Sequence, residues 1–252
     1  MDNIDIVLWD LDGTIADTEI FGHLPAFNKA FKFFQLNWFW SEIEYIQLLN
    51  IHGGFNRISF YSRSKGFNFD KSFLLKIHQK KQIFYQEIIQ SNQLKLRTGV
   101  LRLVEELHSN KIKQAIVTSS ERTNAFNIIK SLFKSKAYIF DFIITSEDVV
   151  LKKPNPESYL KAINQSNCNP SKSIAIEDSF IGLSAAKSAG LKCLLSVSPW
   201  LMLSQIDISQ SDIAVNHLGD SKNHSSFYNG NKCQSDFVDY PLLLELIIQR
   251  SS

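Results

Sequence analysis

Two aspartates one residue apart are the feature of the sequence that most directly suggests chemistry. Asp10 and Asp12 lie in the run Asp-Leu-Asp-Gly-Thr, directly after the mainly apolar run Ile4–Trp9. Side chains two apart on an extended backbone face the same way, so both carboxylates can converge on one point. Such oxygen ligands suit Mg²⁺, which usually takes one or two carboxylates and keeps several waters. The alternative is a polar turn, because Asp-Gly pairs are common in turns.

A second pair of carboxylates has the same setting later in the chain. Glu177 ends an apolar run and Asp178 follows it at once. Charged groups directly after an apolar strand are poor core residues, so Asp178 is a candidate metal ligand. Glu177 is expected either to bind the same ion or to lie hydrogen-bonded beside it.

Hydroxyl and ammonium groups that could bind a phosphoryl group follow two other apolar runs. Thr118 and Ser119 precede a predicted helix, whose N-terminus suits an anion, although the same residues also serve as plain helix caps. Lys152 and Lys153 precede a proline, and one of them could neutralise a nucleophile and a substrate oxygen together. Because proline restricts the residue before it, we favour Lys153. A solvated pair of surface lysines is the alternative.

A parallel sheet would bring these groups together. Apolar runs alternate with segments of helical spacing, which predicts an α/β fold with a doubly wound parallel sheet, a Rossmann-like core. In such sheets ligands bind at the carboxyl ends of the strands. The predicted strands are Ile4–Trp9, Lys113–Thr118, Phe140–Thr145, Ser173–Glu177 and Lys192–Ser196.

An aromatic-rich segment interrupts this alternation. Residues 19–96 contain no convincing strand and show helical spacing at 26–36 and 72–89. We therefore predict an α-helical cap domain at 19–96, inserted into a catalytic core formed by residues 1–18 and 97–252. Stripes of aromatic residues at helical spacing normally face a core, so we interpret them as packing.

The bulk composition excludes several classes of protein. A net charge of +2 without a Lys/Arg block disfavours nucleic acid as a partner. No apolar run approaches the roughly 20 residues of a membrane span. Three widely spaced cysteines and an acidic N-terminal region predict a cytoplasmic protein with reduced thiols, with the plastid stroma as the alternative. We expect a monomer, and a surface loop at the polar segment 219–239.

The motifs together resemble those of the haloacid dehalogenase-like hydrolases. The family's four motifs are matched, in order and with its usual separations, by the run at 10–14, Thr118, the Lys-Pro pair at 153–154 and the Glu-Asp pair at 177–178. The resemblance covers nearly the whole chain. It implies a Mg²⁺-dependent phosphatase that acts through an aspartyl-phosphate.

The resemblance also implies a role for each matching residue. Asp10 would be the nucleophile and Asp12 the general acid and base. Thr118 and Lys153 would bind the transferred phosphoryl group. The metal ligands would be Asp10, Asp12 through its backbone carbonyl, and Asp178, with Glu177 as described above.

Within the family the chain looks most like the CbbY-type sugar-phosphate phosphatases, through the segments at 22–31, 48–61, 76–84 and 152–162. Some such members act on xylulose 1,5-bisphosphate, so the resemblance implies a phosphorylated sugar as the small-molecule partner. The implied substrate-binding residues are Glu19, His23, Arg57, Lys81 and Ser119. For Arg57 the alternative is an ordinary surface arginine.

Two positions depart from the subgroup's pattern. Leu24 replaces a basic residue that often follows the Gly-His pair, and Phe55 replaces the lysine usual after the Gly-Gly pair. Both departures bear on the substrate and leave the reaction class untouched.

Three other functions compete with a phosphatase. A sugar phosphomutase would return the aspartyl-phosphate to sugar instead of water, and a catalytically silent protein would only bind a sugar phosphate. The retained charged residues argue against the silent protein. A dehalogenase is disfavoured because its chemistry has no use for the acid at Asp12.

Overall fold

The chain folds into two compact units. The computed structural model describes residues 3–51, 53–200, 207–230 and 236–248. One unit comprises Met1–Asp17 together with Leu96–Ser252, and the other comprises Thr18–Lys95. The first is an α/β unit and the second is helical, and the predicted α/β class is confirmed.

Within the described residues, a sheet of seven strands forms the centre of the α/β unit, in the order β3-β2-β1-β4-β5-β6-β7. The first six strands pair in parallel, and the last pair is antiparallel. In chain order the strands are β1 (Ile6–Trp9), β2 (Lys113–Val117), β3 (Phe142–Ile144), β4 (Ser173–Glu177), β5 (Lys192–Ser196), β6 (Ile213–Val215) and β7 (Phe227–Asn229).

The order of the strands reverses beside β1. The chain adds β2 and β3 on one side of this strand and β4, β5 and β6 on the other. A reversal of that kind opens a crevice at the carboxyl ends of the strands. Asp10, Thr118 and Asp178 each follow directly after one of the three strands at this reversal.

Strand β1 is buried on both faces, as its nearly continuous apolar sequence requires. Its one polar side-chain group is the indole N–H of Trp9, which donates to Oε1 of Gln114 at 3.1 Å. The amide of Gln114 in turn donates to the carbonyl of Val104 at 2.9 Å. The bulky Trp9 is therefore buried without an unpaired donor.

Helices cover the sheet and build the second unit. They are α1 (Leu24–Phe33), α2 (Glu42–Leu48), α3 (Gly54–Ser64), α4 (Lys71–Gln90), α5 (Val100–Ser109), α6 (Arg122–Phe133), α7 (Glu157–Ser166), α8 (Phe180–Ser188) and α9 (Tyr240–Ile248). Small residues at Gly182, Ala185 and Ala186 let α8 approach the sheet closely, and all three are buried.

The helical unit has an aromatic core, as predicted. Phe27, Phe31, Trp40 and Tyr45 are fully buried, and the rings of Phe27 and Trp40 lie 4.7 Å apart. Such tilted and edge-to-face pairs are favourable arrangements of aromatic rings. The stripe at helical spacing therefore packs a core.

One sequence prediction is wrong in part. The segment predicted as a surface loop at 219–239 contains β7, which pairs with β6 at the edge of the sheet. Three residues are too few to display an alternating pattern, so only the pairing partner reveals the strand. Residues 231–235, with Cys233, lie outside the described part of the chain; Cys168 and Cys193 are free thiols.

None of the helices in the described ranges combines the length and the apolar character that a membrane span requires.

Candidate active site

Asp10 occupies the crevice because β1 ends one residue before it. Its backbone N–H donates to the carbonyl of Ile176 on β4 at 3.0 Å, which fixes the residue between the two strands. Its side chain is largely buried, and Oδ1 accepts from the ammonium of Lys153 at 2.8 Å. The predicted nucleophile and the predicted cation are thus in direct contact.

Lys153 is held by three acceptors. Besides Asp10, its Nζ donates to Oε1 of Glu177 at 2.6 Å and to the carbonyl of Val117 at 2.8 Å, and only 5% of its side chain is exposed. Burial disfavours the charged ammonium, but the two carboxylates outweigh it and raise the pKa of Lys153. The neighbouring Lys152 is exposed, so Lys153 is the one of the two lysines that contacts Asp10. Its role in binding a phosphoryl group stays a prediction.

Three buried carboxylates meet at this point. Asp10, Glu177 and Asp178 each offer an oxygen, and these oxygens all lie within 4.8 Å of one another. Burial and the charge of Asp10 raise the pKa of Glu177 to about 7, against the influence of Lys153. Burial, together with Asp10 and Glu177, also raises the pKa of Asp178.

Upward pKa shifts of this kind mean that burial, together with repulsion from neighbouring carboxylates, disfavours the charged form of Glu177 and Asp178. Hard oxygen ligands at this spacing match the preferences of Mg²⁺. The residues present therefore fit a divalent cation, which would lower the cost of keeping the carboxylates charged.

Glu177 does more than add a carboxylate to the cluster. Its Oε1 also accepts from the hydroxyl of Tyr159 at 2.5 Å, so two buried donors orient it. A Cβ at position 182 would overlap the carboxylate of Glu177, which explains the glycine there. Tyr159 is a site residue that the sequence did not reveal, because a lone tyrosine on a helix looks like core.

Asp12 forms hydrogen bonds with a different set of residues from Asp10. Its Oδ2 accepts from the hydroxyl of Ser120 at 2.6 Å and, at the distance limit of 3.5 Å, from Thr118. The Thr118 hydroxyl also accepts from the backbone N–H of Ser120 at 3.0 Å. Ser119, the predicted substrate-binding serine, is exposed and lies between these two residues. Ser120 is thus a second residue that sequence reasoning missed, although the hydroxyl run at 118–120 contained it.

Position 13 has two structural requirements that only glycine satisfies. Its φ of +92° lies in the left-handed region that side chains rarely adopt. A Cβ there would also overlap the carboxylate of Asp178. The backbone after Asp12 therefore packs directly against a predicted metal ligand.

A polar group within the helical unit contains Glu19 and Arg57. The hydroxyl of Tyr45 donates to Oε2 of Glu19 at 2.5 Å and accepts from Nη1 of Arg57 at 3.2 Å. The Arg57 side chain is only 12% exposed and lies 3.7 Å from Glu19. It is therefore a largely buried arginine with fixed partners, and its role in substrate binding stays a prediction.

His23 and Lys81 form a second polar group in this unit. The ammonium of Lys81 lies 2.8 Å from Nδ1 of His23, and Lys81 is only 4% exposed. The imidazole stacks on the ring of Tyr85 at 3.9 Å. Burial and the charge of Lys81 lower the pKa of His23, so the imidazole is neutral and accepts from Lys81. Leu24, the next residue, is buried.

The stability of the chain should depend on pH through His23. A histidine whose pKa is lower in the folded chain than its ordinary value of 6.5 takes up a proton on unfolding. The contribution of His23 to the free energy of unfolding should therefore decrease as the pH drops below about 6.5, whereas the raised pKa of Glu177 acts in the opposite direction. His23→Asn, which keeps an acceptor for Lys81, should make this decrease smaller. Thermal unfolding from pH 5 to 8 measures the pH dependence of stability in the wild type and in His23→Asn. Equal pH slopes for these two proteins would contradict a lowered pKa of His23.

Comparison with known proteins agrees with this geometry. A family model described as haloacid dehalogenase-like hydrolase matches residues 7–196. The chain is 34% identical over 195 residues to the protein CbbY of Rhodobacter capsulatus, covering 77% of this chain and 86% of that protein. It is 32% identical over 222 residues to a CBBY-like protein of Arabidopsis thaliana, covering 85% of this chain and 69% of that protein.

Comparison with solved structures also finds a CbbY protein. The chain is similar to a mutant of CbbY from Rhodobacter sphaeroides crystallised in complex with xylulose-(1,5)bisphosphate, with a TM-score of 0.71 and 30% identity. The match covers 85% of this chain and 94% of that one. The family match includes Asp10, Lys153 and Asp178 and extends over most of the chain. The chain therefore belongs to the haloacid dehalogenase-like hydrolases, and within that family it is a phosphatase.

Proposed function

We propose that this phosphatase removes a phosphate group from a sugar bisphosphate, with Asp10 as the nucleophile and Mg²⁺ as the cofactor. The observation that carries the proposal is the contact between Asp10 and Lys153 inside a buried cluster of carboxylates. A carboxylate paired with an ammonium at a sheet edge is suited to attack an anionic phosphate, because the ammonium offsets the repulsion between them.

In the proposed reaction, an Asp10 oxygen attacks phosphorus in line with the bond to the leaving oxygen. The phosphorus–oxygen bond to the sugar breaks, and Asp12 gives its proton to the departing alkoxide. Asp12 then removes a proton from water, which attacks the aspartyl-phosphate and releases inorganic phosphate and free Asp10. The hydrogen bond from Ser120 orients Asp12 for both proton transfers.

The carboxylates of Asp10 and Asp178 are proposed as the metal ligands, with the backbone carbonyl of Asp12. A bound Mg²⁺ would supply positive charge that stabilises the phosphoryl oxygens. Glu177 is proposed to act beside the metal site, since Lys153 and Tyr159 already engage one of its oxygens. Thr118 is proposed to donate to a phosphoryl oxygen.

A ketose bisphosphate, such as xylulose 1,5-bisphosphate, is the proposed substrate. The support is the similarity to CbbY, whose crystal structure contains that compound. The helical unit offers two oriented basic groups, Arg57 and Lys81, and an arginine can hold a phosphate by two parallel hydrogen bonds. Glu19 and His23 are proposed to bind the sugar hydroxyls, and Ser119 to contact the substrate near the transferred phosphate.

Phosphate release from a panel of sugar mono- and bisphosphates, with and without Mg²⁺, tests the proposal. We expect ketopentose bisphosphates to give the highest kcat/KM, and chelation of divalent ions to reduce turnover by at least about 100-fold. Equal rates across the panel would exclude the narrower substrate. A phosphorylated isomer formed without inorganic phosphate would instead identify a mutase.

A further inference from the structure

Arg97 binds the loop that carries the predicted catalytic aspartates. Its guanidinium donates to the backbone carbonyl of Gly13 through Nη1. The same nitrogen donates to the carbonyl of Ser196 at 2.7 Å, and Nη2 donates to Val197 at 2.8 Å and to Asn216 at 2.7 Å. One buried side chain thus joins the loop after β1 to the ends of β5 and β6.

The arrangement needs a guanidinium. Arginine presents five N–H donors in a rigid planar fork, whereas the three donors of a lysine ammonium cannot serve four carbonyls. Burial lowers the pKa of Arg97, although the charges of Asp178 and Asp17 oppose that effect. A buried cation whose two terminal nitrogens donate to four backbone carbonyls holds the main chain in place.

Two contacts connect this side chain to Asp178. Gly13 packs so closely against the Asp178 carboxylate that a Cβ would not fit between them. On the other side, Ser198 directly follows Val197, and its N–H donates to the carbonyl of Asp178 at 3.4 Å. A shift in the Gly13 carbonyl or in the end of β5 would therefore move the loop after β1 relative to Asp178.

We propose that Arg97 is a positioning residue of the active site: by fixing the Gly13 carbonyl and the ends of β5 and β6, it sets the spacing between the aspartates at 10–12 and Asp178. The inference rests on the proposed function. The hydrogen bonds of Arg97 go to backbone carbonyls, so its loss should impair the metal site and the chemical step more than substrate binding.

Arg97→Lys tests this role, with Arg102→Lys as the matched control. Arg102 also donates to backbone carbonyls, those of Gly219, Leu218 and Val238, but to none in the loop after β1. We expect Arg97→Lys to weaken Mg²⁺ binding, measured by isothermal titration calorimetry, by about 10-fold. Its kcat should fall about 10- to 100-fold with little change in KM. Arg102→Lys should keep both values.

A second variant covers the case in which the lysine substitution prevents folding. Arg97→Ala leaves a space that added guanidinium can occupy, so millimolar guanidinium should restore part of the Mg²⁺ affinity, while a stabilising osmolyte such as trimethylamine N-oxide should not. Unchanged Mg²⁺ affinity and kcat in Arg97→Lys, or equal rescue by both additives, would overturn the inference. A wild-type protein that releases no phosphate would instead refute the proposed function.

Discussion

Asp10→Asn should reduce phosphate release by at least about 1,000-fold while leaving the fold intact. An amide oxygen is a poor nucleophile, so the aspartyl-phosphate cannot form. The substitution also removes one of three clustered negative charges, so the free energy of unfolding should stay equal or rise. Initial rates of phosphate release and urea unfolding curves measure the two effects.

A matched control for this variant is Asp70→Asn. Asp70 is exposed and caps α4 by accepting from the N–H of Phe73, and asparagine caps helices about equally well. Normal rates of phosphate release are expected for Asp70→Asn.

Asp12→Asn should differ from Asp10→Asn. It should accumulate the aspartyl-phosphate when the leaving group needs no proton, as with p-nitrophenyl phosphate. Normal phosphate release by Asp10→Asn would exclude Asp10 as the nucleophile.

Lys153→Met should both abolish turnover and destabilise the chain. The substitution keeps the apolar length of the side chain but leaves Asp10 and Glu177 buried without their shared ammonium. Breaking a buried ion pair by removing one partner costs roughly 3–5 kcal/mol. Proton uptake by Glu177, whose pKa already lies at about 7, will lower that cost near neutral pH.

The neighbouring lysine supplies the control for this prediction. Lys152 is exposed, so Lys152→Met should change the free energy of unfolding by less than about 0.5 kcal/mol and leave kcat unchanged. If Lys153→Met does not fold, Lys153→Arg retains the charge with a different shape and should still lose at least about 100-fold in kcat. Normal turnover in either Lys153 variant would contradict a role for this ammonium in the reaction.

The sequence by itself determined where β1 to β5 lie along the chain and which residues follow them. Buried parallel strands need nearly continuous apolar runs, and the functional carboxylates stand where those runs stop, so both signals are local. Helical spacing in the same way predicted α1 and α4 to within a few residues. The monomeric state and the cellular compartment stay predictions.

Only the tertiary structure decided which further polar residues join the predicted ones. Ser120 reaches Asp12 across 108 positions of the chain, and Arg97 reaches Asn216 across 119. No periodicity in the sequence predicts contacts between residues so far apart in the chain, because these contacts depend on how β1 pairs with β2 and β4. The same holds for β7, which exists as a strand only because β6 lies beside it. Local patterns determine secondary structure, whereas pairing between distant strands determines the site.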